Sequence, residues 1–155
     1  MIINDAMLDA LCTEASDSPR RRKNLNFHAS ETAPCNRLLN AVEPDSYIQP
    51  HRHLDPEKDE SIILLRGRLG VLFFSDGGEI VLKAELSRKL GTYGVDIPHG
   101  TCHTVLSLES GTVFFESKSG PYAPLSDRER AVWAPREGEG DASAYLEYLK
   151  GLFMS

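Results

Sequence analysis

The stretch His51-Arg52-His53-Leu54-Asp55-Pro56-Glu57-Lys58-Asp59-Glu60-Ser61-Ile62-Ile63-Leu64-Leu65-Arg66-Gly67 carries two histidines one residue apart, a charged turn, and an acid that opens an apolar run ending at glycine. On a strand, side chains two apart project from the same face. A strand over 46–53 therefore sends His51 and His53 side by side into one cavity. A third histidine closes the downstream run Pro98-His99-Gly100-Thr101-Cys102-His103. Imidazole nitrogens with a carboxylate oxygen are the donor set of a divalent transition metal. Glu57 lies in the turn-like stretch, whereas Glu60 begins the apolar run, and a rigid element positions a ligand better than a loop. The expected metal ligands are His51, His53, Glu60 and His103. On the same parity, Tyr47 and Gln49 are expected to face inward, with Ile48 and Pro50 outward. A row of inward polar groups is costly unless it is hydrogen-bonded or binds something. That parity points to a wet, functional cavity.

Outward from this stretch, residues 24–118 alternate short apolar runs with Gly, Pro, Asn and Asp, the pattern of a sandwich or barrel. Strands are expected at 24–28, 36–42, 46–53, 60–66, 69–75, 79–84, 93–98, 102–108 and 112–117. Asp76-Gly77-Gly78 and Glu109-Ser110-Gly111 read as tight turns, because glycine accepts positive φ. Met7, Leu8 and Leu11 have helical spacing behind Asn4 as N-cap. Leu146, Leu149, Leu152 and Phe153 do the same from about 142 to 153 behind Asp141. One structural domain is expected: a helix and basic connector over 1–23, a barrel over 24–120, and an irregular segment with a closing helix over 121–155.

The chain has 155 residues, enough for one core, with 41% apolar and 26% charged residues, as in an ordinary globular protein. No apolar stretch nears the roughly 20 residues that span a bilayer. The N-terminus lacks a basic and then apolar leader, so a cytoplasmic location is the default. A net charge of −6 opposes binding to nucleic acid or an anionic membrane. The run Arg20-Arg21-Arg22-Lys23 is read as a solvated connector. Cys12, Cys35 and Cys102 are too scattered for a disulfide framework or a cysteine zinc site. Cys102 faces away from His103 on a strand and reads as packing.

His51-x-His53, then Glu60 followed by six residues and Gly67, resembles the first cupin motif with a longer gap than usual. Pro98-x-Gly100-x-x-His103 resembles the second, with Ser107 where Asn is common. The likeness is closer still to WbuC-type proteins, small bacterial cupins whose genes often lie among O-antigen and sugar-nucleotide genes. It rests on Asn24 to His28, Pro50-His51-Arg52-His53, Pro98 to Thr104, Gly120-Pro121-Tyr122 and Trp133-Ala134-Pro135, and departs at His99 and Cys102. This resemblance implies a mainly β fold, a double-stranded β-helix (cupin or jelly-roll barrel) with short terminal helices. It also implies one divalent metal ion (Fe, Mn, Ni, Co or Zn) on the four ligands, and a homodimer.

Three neutral imidazoles and one carboxylate around a divalent ion leave a charge of about +1, which favours an anionic oxygen ligand. His28, on the alternating strand Asn24-Leu25-Asn26-Phe27-His28, is the candidate proton shuttle. Arg37 is the candidate clamp for a substrate carboxylate or phosphate, and Gln49 a candidate substrate contact. Tyr122 and Trp133 read as core anchors or a lid. The expected function is a metal-dependent enzyme on a small oxygen-rich molecule such as a sugar or sugar acid, of isomerase or epimerase type. An Fe(II)-dependent dioxygenase and a non-catalytic metal-dependent sensor are the alternatives.

Overall fold

The computed structural model describes residues 1–154. Helix α1 (Asp5–Asp17) starts where expected: the Asn4 side-chain oxygen accepts from the Met7 amide at 3.0 Å, closing one of the free N–H groups of the first turn. It stops at Ser18, extended and followed by Pro19, a residue that disfavours helix before it. Eight strands follow: β1 (Arg22–Asn26), β2 (Cys35–Val42), β3 (Glu60–Arg66), β4 (Arg68–Phe74), β5 (Ile80–Ser87), β6 (Gly94–Ile97), β7 (Cys102–Ser107) and β8 (Thr112–Ser119). Helix α2 (Ala142–Gly151) closes the fold.

The strands form two antiparallel sheets, β1-β2-β8-β3-β6 and β5-β4-β7. Their inner faces meet in one apolar cluster: Val42, Ile62, Ile97 and Phe114 from the larger sheet, Leu69, Val71, Leu86 and Val105 from the smaller. Two sheets closed face to face in this way make a jelly-roll barrel. Each outer face carries a helix. Leu8, Leu11 and Ala15 of α1 pack on Leu39, Ala41 and Val113, and Arg66 pins the helix through Asp9 and Asp5 at 2.6 and 2.9 Å. Leu146 and Leu149 of α2 pack on Leu72, Phe74, Cys102 and Leu106. Fully burying each such leucine contributes about 2 kcal/mol. Cys102 is thus a packing residue, as its parity predicts, and Trp133 packs on Phe74 at 4.9 Å as a core anchor. Gly67 links β3 to β4 at φ +84°, and a Cβ there would lie 2.7 Å from the Thr112 Cα.

Two expectations need correction. The segment 46–53 is not a strand. It is an extended connection held by isolated bridges from His51 to His103 and to Arg130, with Arg52 donating to the Glu129 carbonyl and Ala131 to that of Pro50. Pro50 has no N–H to give, so a continuous ladder cannot form through it. The strict two-residue parity fails with it: Tyr47 turns into the core beneath α2, and Ile48 faces the barrel interior. The basic run is also more than a connector, since β1 begins inside it at Arg22, paired with Val42.

Candidate metal centre

Two motifs 50 residues apart in sequence are stitched together by backbone hydrogen bonds. His51 and His103 exchange N–H···O bonds of 3.0 and 2.8 Å, and the Gly100 amide donates to the His53 carbonyl at 2.7 Å. Gly100 sits at φ +77°, which glycine adopts without strain. The result places one ring nitrogen or other ligand atom from each of His51, His53 and His103 within 4.8 Å of one another.

The histidine rings are oriented from behind. Nδ1 of His51 lies 2.9 Å from the Gln49 carbonyl, and Nδ1 of His103 lies 2.8 Å from the Thr101 carbonyl. A carbonyl only accepts, so each Nδ1 carries the proton and each Nε2 presents a lone pair to the centre. Glu60, the first residue of β3, is 4% exposed. Its Oε2 lies 3.2 Å from His53 Nε2 and 3.5 Å from His103 Nε2. Despite that approach, neither His53 Nε2 nor Glu60 Oε2 has a well-formed hydrogen bond, and both atoms are buried. Buried polar atoms are nearly always partnered. Two unpartnered polar atoms facing each other fit a cation between them, and the donor set of three imidazoles and one carboxylate fits a divalent transition metal.

The centre opens into a barrel chamber of about 180 Å³ whose apolar wall is Val42, Ile48, Ile62, Val105 and Phe114. Its polar wall includes Glu116 and Lys118 of β8 and Arg22 of β1. Glu116 accepts from Asn40 Nδ2 at 3.1 Å and lies 3.4 Å from the Lys118 ammonium. Burial, and then the Glu60 carboxylate beside it, push the Glu116 carboxyl up to about 8. Glu60 goes the other way. Burial alone would raise it, but contacts with Glu116, His103 and His53 hold it well below the usual carboxylate range. The two acids sit side by side, and burial with mutual repulsion opposes their both being ionised. Burial would lower the Lys118 ammonium, yet the charges of Glu116 and Glu60 raise it. His51 is lowered to about 3, by burial first and then by His103, so its imidazole is neutral and available as a ligand near neutral pH.

The other predicted residues are spread around this centre. His28 lines a separate outer cavity of about 470 Å³ that shares Arg22, Asn40, Glu116 and Lys118 with the chamber. Its Nδ1 accepts from the Arg37 amide at 3.1 Å. It is therefore at the mouth and does not line the chamber. Arg37 is exposed and lines neither space, because it alternates with Asn36 and Leu38, which face the outer cavity. Gln49 donates to the Ala131 carbonyl at 3.0 Å and faces a third cavity beside His51. Tyr122 stands half-exposed at the outer mouth. Sequence reasoning missed Arg22, Asn40, Glu116 and Lys118. The signal for two of them was present: Thr112, Phe114, Glu116 and Lys118 share one parity of β8, so the acid and the lysine extend a buried face.

A model of the family described as a domain of unknown function (DUF6016) matches residues 3–86. The chain belongs to this family. Solved structures resemble the DUF6016 chain in fold. KdgF from Halomonas sp. superposes with a TM-score of 0.53 at 17% identity, over 68% of this chain and 84% of that one. The conserved SPY1581 protein of unknown function from Streptococcus pyogenes gives 0.51 at 10% identity, over 70% and 86%. An oxalate decarboxylase gives 0.51 at 13%, over 72% of this chain and 27% of that one. KdgF and oxalate decarboxylase are cupin-fold proteins, and the DUF6016 chain shares their barrel. No curated protein sequence matches it. Among the described residues no helix is long and apolar enough to cross a membrane.

Proposed function

We propose that this protein is a WbuC-type cupin that holds one divalent transition metal ion on His51, His53, Glu60 and His103. In this reading it acts as an enzyme on a small, anionic, oxygen-rich molecule such as a sugar acid. The observation that carries the reading is the pair of buried, unpartnered atoms His53 Nε2 and Glu60 Oε2, 3.2 Å apart. The name of oxalate decarboxylase, a fold neighbour, states a small carboxylate substrate, which is in keeping with such a ligand.

When bound, the ion supplies Lewis acidity toward a carbonyl or carboxylate oxygen. The chain's own groups do the rest. Arg22 and Lys118 face the chamber as fixed cations and orient an anionic substrate. Val42, Ile62, Val105 and Phe114 line the chamber with apolar groups and limit water. Glu116, between Lys118 and Glu60, has its carboxyl pushed up to about 8 by burial and by Glu60, and is the group placed to exchange a proton with a bound substrate. His28 can move a proton only at the outer mouth. A carboxyl with a raised pKa beside the ligands favours an enzyme of isomerase or epimerase type over a sensor.

Elemental analysis of protein purified without added metal tests the first half of this reading. One ion per chain is expected, lost in His53→Ala and retained in His28→Ala. Wild-type protein that takes up no divalent ion even on reconstitution would remove the proposal. Iron with oxygen uptake would move it to a dioxygenase. The strand β5, a free sheet edge with Val81 66% exposed between Ile80 and Leu82, supports a homodimer; a monomeric mass by light scattering would sink that part.

A further inference from the structure

Two arginines of the basic run converge on one carboxylate. Arg20 and Arg22 both turn onto Glu137: Arg20 grips it with Nε and a terminal nitrogen at 2.7 and 2.8 Å, and Arg22 adds a bond of 2.8 Å. Arg22 is further fixed by the Ser46 hydroxyl and the Tyr47 carbonyl, each at 3.2 Å. Arg20, Arg22 and Glu137, with Arg130 and Arg136, line a cavity of about 460 Å³ that also includes His51. Four guanidinium groups against the one carboxylate of Glu137 leave a local formal charge of +3, in a chain whose net charge is −6. Arg130 has only a long contact, 3.6 Å, to the solvent-exposed Asp127. Arg136 has no ion-pair partner among the described residues. Concentrating like charge around a concave space is unfavourable unless an anion neutralises it.

We infer that this arginine-lined cavity binds the phosphate group of a phosphorylated substrate whose other end reaches the metal centre. Arg22 and His51 line both this cavity and the barrel chamber, so the two spaces adjoin. Guanidinium forks suit phosphate oxygens, because two parallel N–H groups meet two oxygens at once. Arg20 and Arg22 are held in place by Glu137, and Arg130 and Arg136 supply the free forks. On the other side of Arg22, the outer cavity presents Asn24, Asn26, Asn36 and Asn40. Asn36 is 2% exposed, and its Oδ1 has no partner. Amides of this kind suit hydroxyl groups. A phosphorylated polyhydroxy compound satisfies both cavities. That the phosphate belongs to the substrate rests on the metal-centre reading above; phosphate binding itself does not.

The test is titration of the full chain, as purified and after chelation of metal, with inorganic phosphate and glucose 6-phosphate. Glucose, and sodium chloride at matched ionic strength, are the controls. Saturable binding of both phosphates is expected by calorimetry and as a rise in melting temperature, with or without metal. The double variant Arg130→Gln/Arg136→Gln should bind both about tenfold or more weakly, the loss of one or two charge-assisted hydrogen bonds, while its metal content stays at the wild-type level. Phosphate responses no larger than those of chloride, or a variant that binds as tightly as wild type, overturn the inference. A protein that binds phosphate but no metal would sink the metal centre and leave the phosphate cavity standing. One that binds metal but no phosphate would do the reverse.

Discussion

The barrel interior has two ends built from the same strands. Along β3 the inward positions run Glu60, Ile62, Leu64; along β7, His103 is followed by Val105; along β8, Lys118 and Glu116 lie beyond Phe114; along β2, Asn40 precedes Val42. Within one or two pleats each strand passes from charged or polar groups to hydrocarbon. Only the apolar end receives Leu69, Val71 and Leu86 from β4 and β5. The β2–β8 and β3–β8 pairings run through both ends, with a register shift on β3 between Leu64 and Arg66 at the apolar end, so a missing ladder does not account for the polar end. Burial accounts for it. The apolar end gains free energy when it leaves water, whereas the polar end gathers desolvated charges and unpartnered atoms that cost free energy without a ligand. Stability and chemistry are thus segregated along the barrel axis.

Substitutions at the two ends should therefore separate the two properties. The largest effect is expected at the apolar end. Leu69→Ala empties a site that is fully buried and does not line the chamber. It should cost about 2–5 kcal/mol in denaturant unfolding while the surviving folded protein still takes up metal. Concurrent loss of metal would show that the two ends are coupled. At the polar end, Glu60→Gln keeps the shape of the side chain and removes one charged ligand. Metal affinity should fall about 10- to 100-fold, the range seen when groups that support a bound metal are lost. Unfolding of the metal-free protein should change by less than it does for Leu69→Ala, because relief of a buried charge is set against the anion that Lys118 loses. A drop in metal-free stability as large as that of Leu69→Ala would refute the segregation.

Much of this arrangement was legible in the sequence wherever period and chemistry agreed. β3 was bounded correctly at 60–66 because Glu60 and Gly67 bracket a clear apolar run, and the Asn4 cap fixed the start of α1. His51, His53, Glu60 and His103 do converge. The sequence misled where backbone context decided the outcome. Pro50 broke the expected 46–53 strand, so Ile48 and not Tyr47 faces the barrel, and Gln49 looks into a different cavity from the one predicted. Arg37 fell on the wrong parity of β2, one residue from the inward Asn36. Arg20 and Arg22 looked like solvated charge because Glu137, their partner, is 115 residues or more away in the chain, and no local pattern announces such a contact.

A smaller effect is expected at Asn36. It is buried in β2 with its Oδ1 unpartnered, on the polar side of the same strand that carries Val42 at its apolar end. Asn36→Leu replaces an unsatisfied acceptor with hydrocarbon of similar volume and should stabilise the protein by about 1 kcal/mol. Under the inference above, binding of glucose 6-phosphate should weaken, while that of inorganic phosphate does not. Destabilisation by a similar amount would mean that the amide is already satisfied in solution.

The smallest effect expected concerns pH and lies outside the barrel, at the ion-paired rim. Hydrogen bonds from Arg20, opposed by burial and reinforced by Arg22, hold the Glu137 carboxyl down at about 2, against an ordinary value of 4.5. A group whose pKa is lowered by folding stabilises the native state above its unfolded pKa, and that contribution is lost as pH falls toward the folded value. The window is therefore pH 4.5 down to about 2. The Glu137 side chain is 35% exposed, so solvent and salt screen the pair, and its contribution at neutral pH should be no more than about 1 kcal/mol. Melting temperatures of wild type and Glu137→Gln should differ at pH 6 and converge near pH 2.5, with the difference shrinking in high salt. A gap that stays constant across that range would mean that Glu137 supports the rim by packing and not by charge. Arg20 and Arg22 would then be free to rearrange when an anion binds.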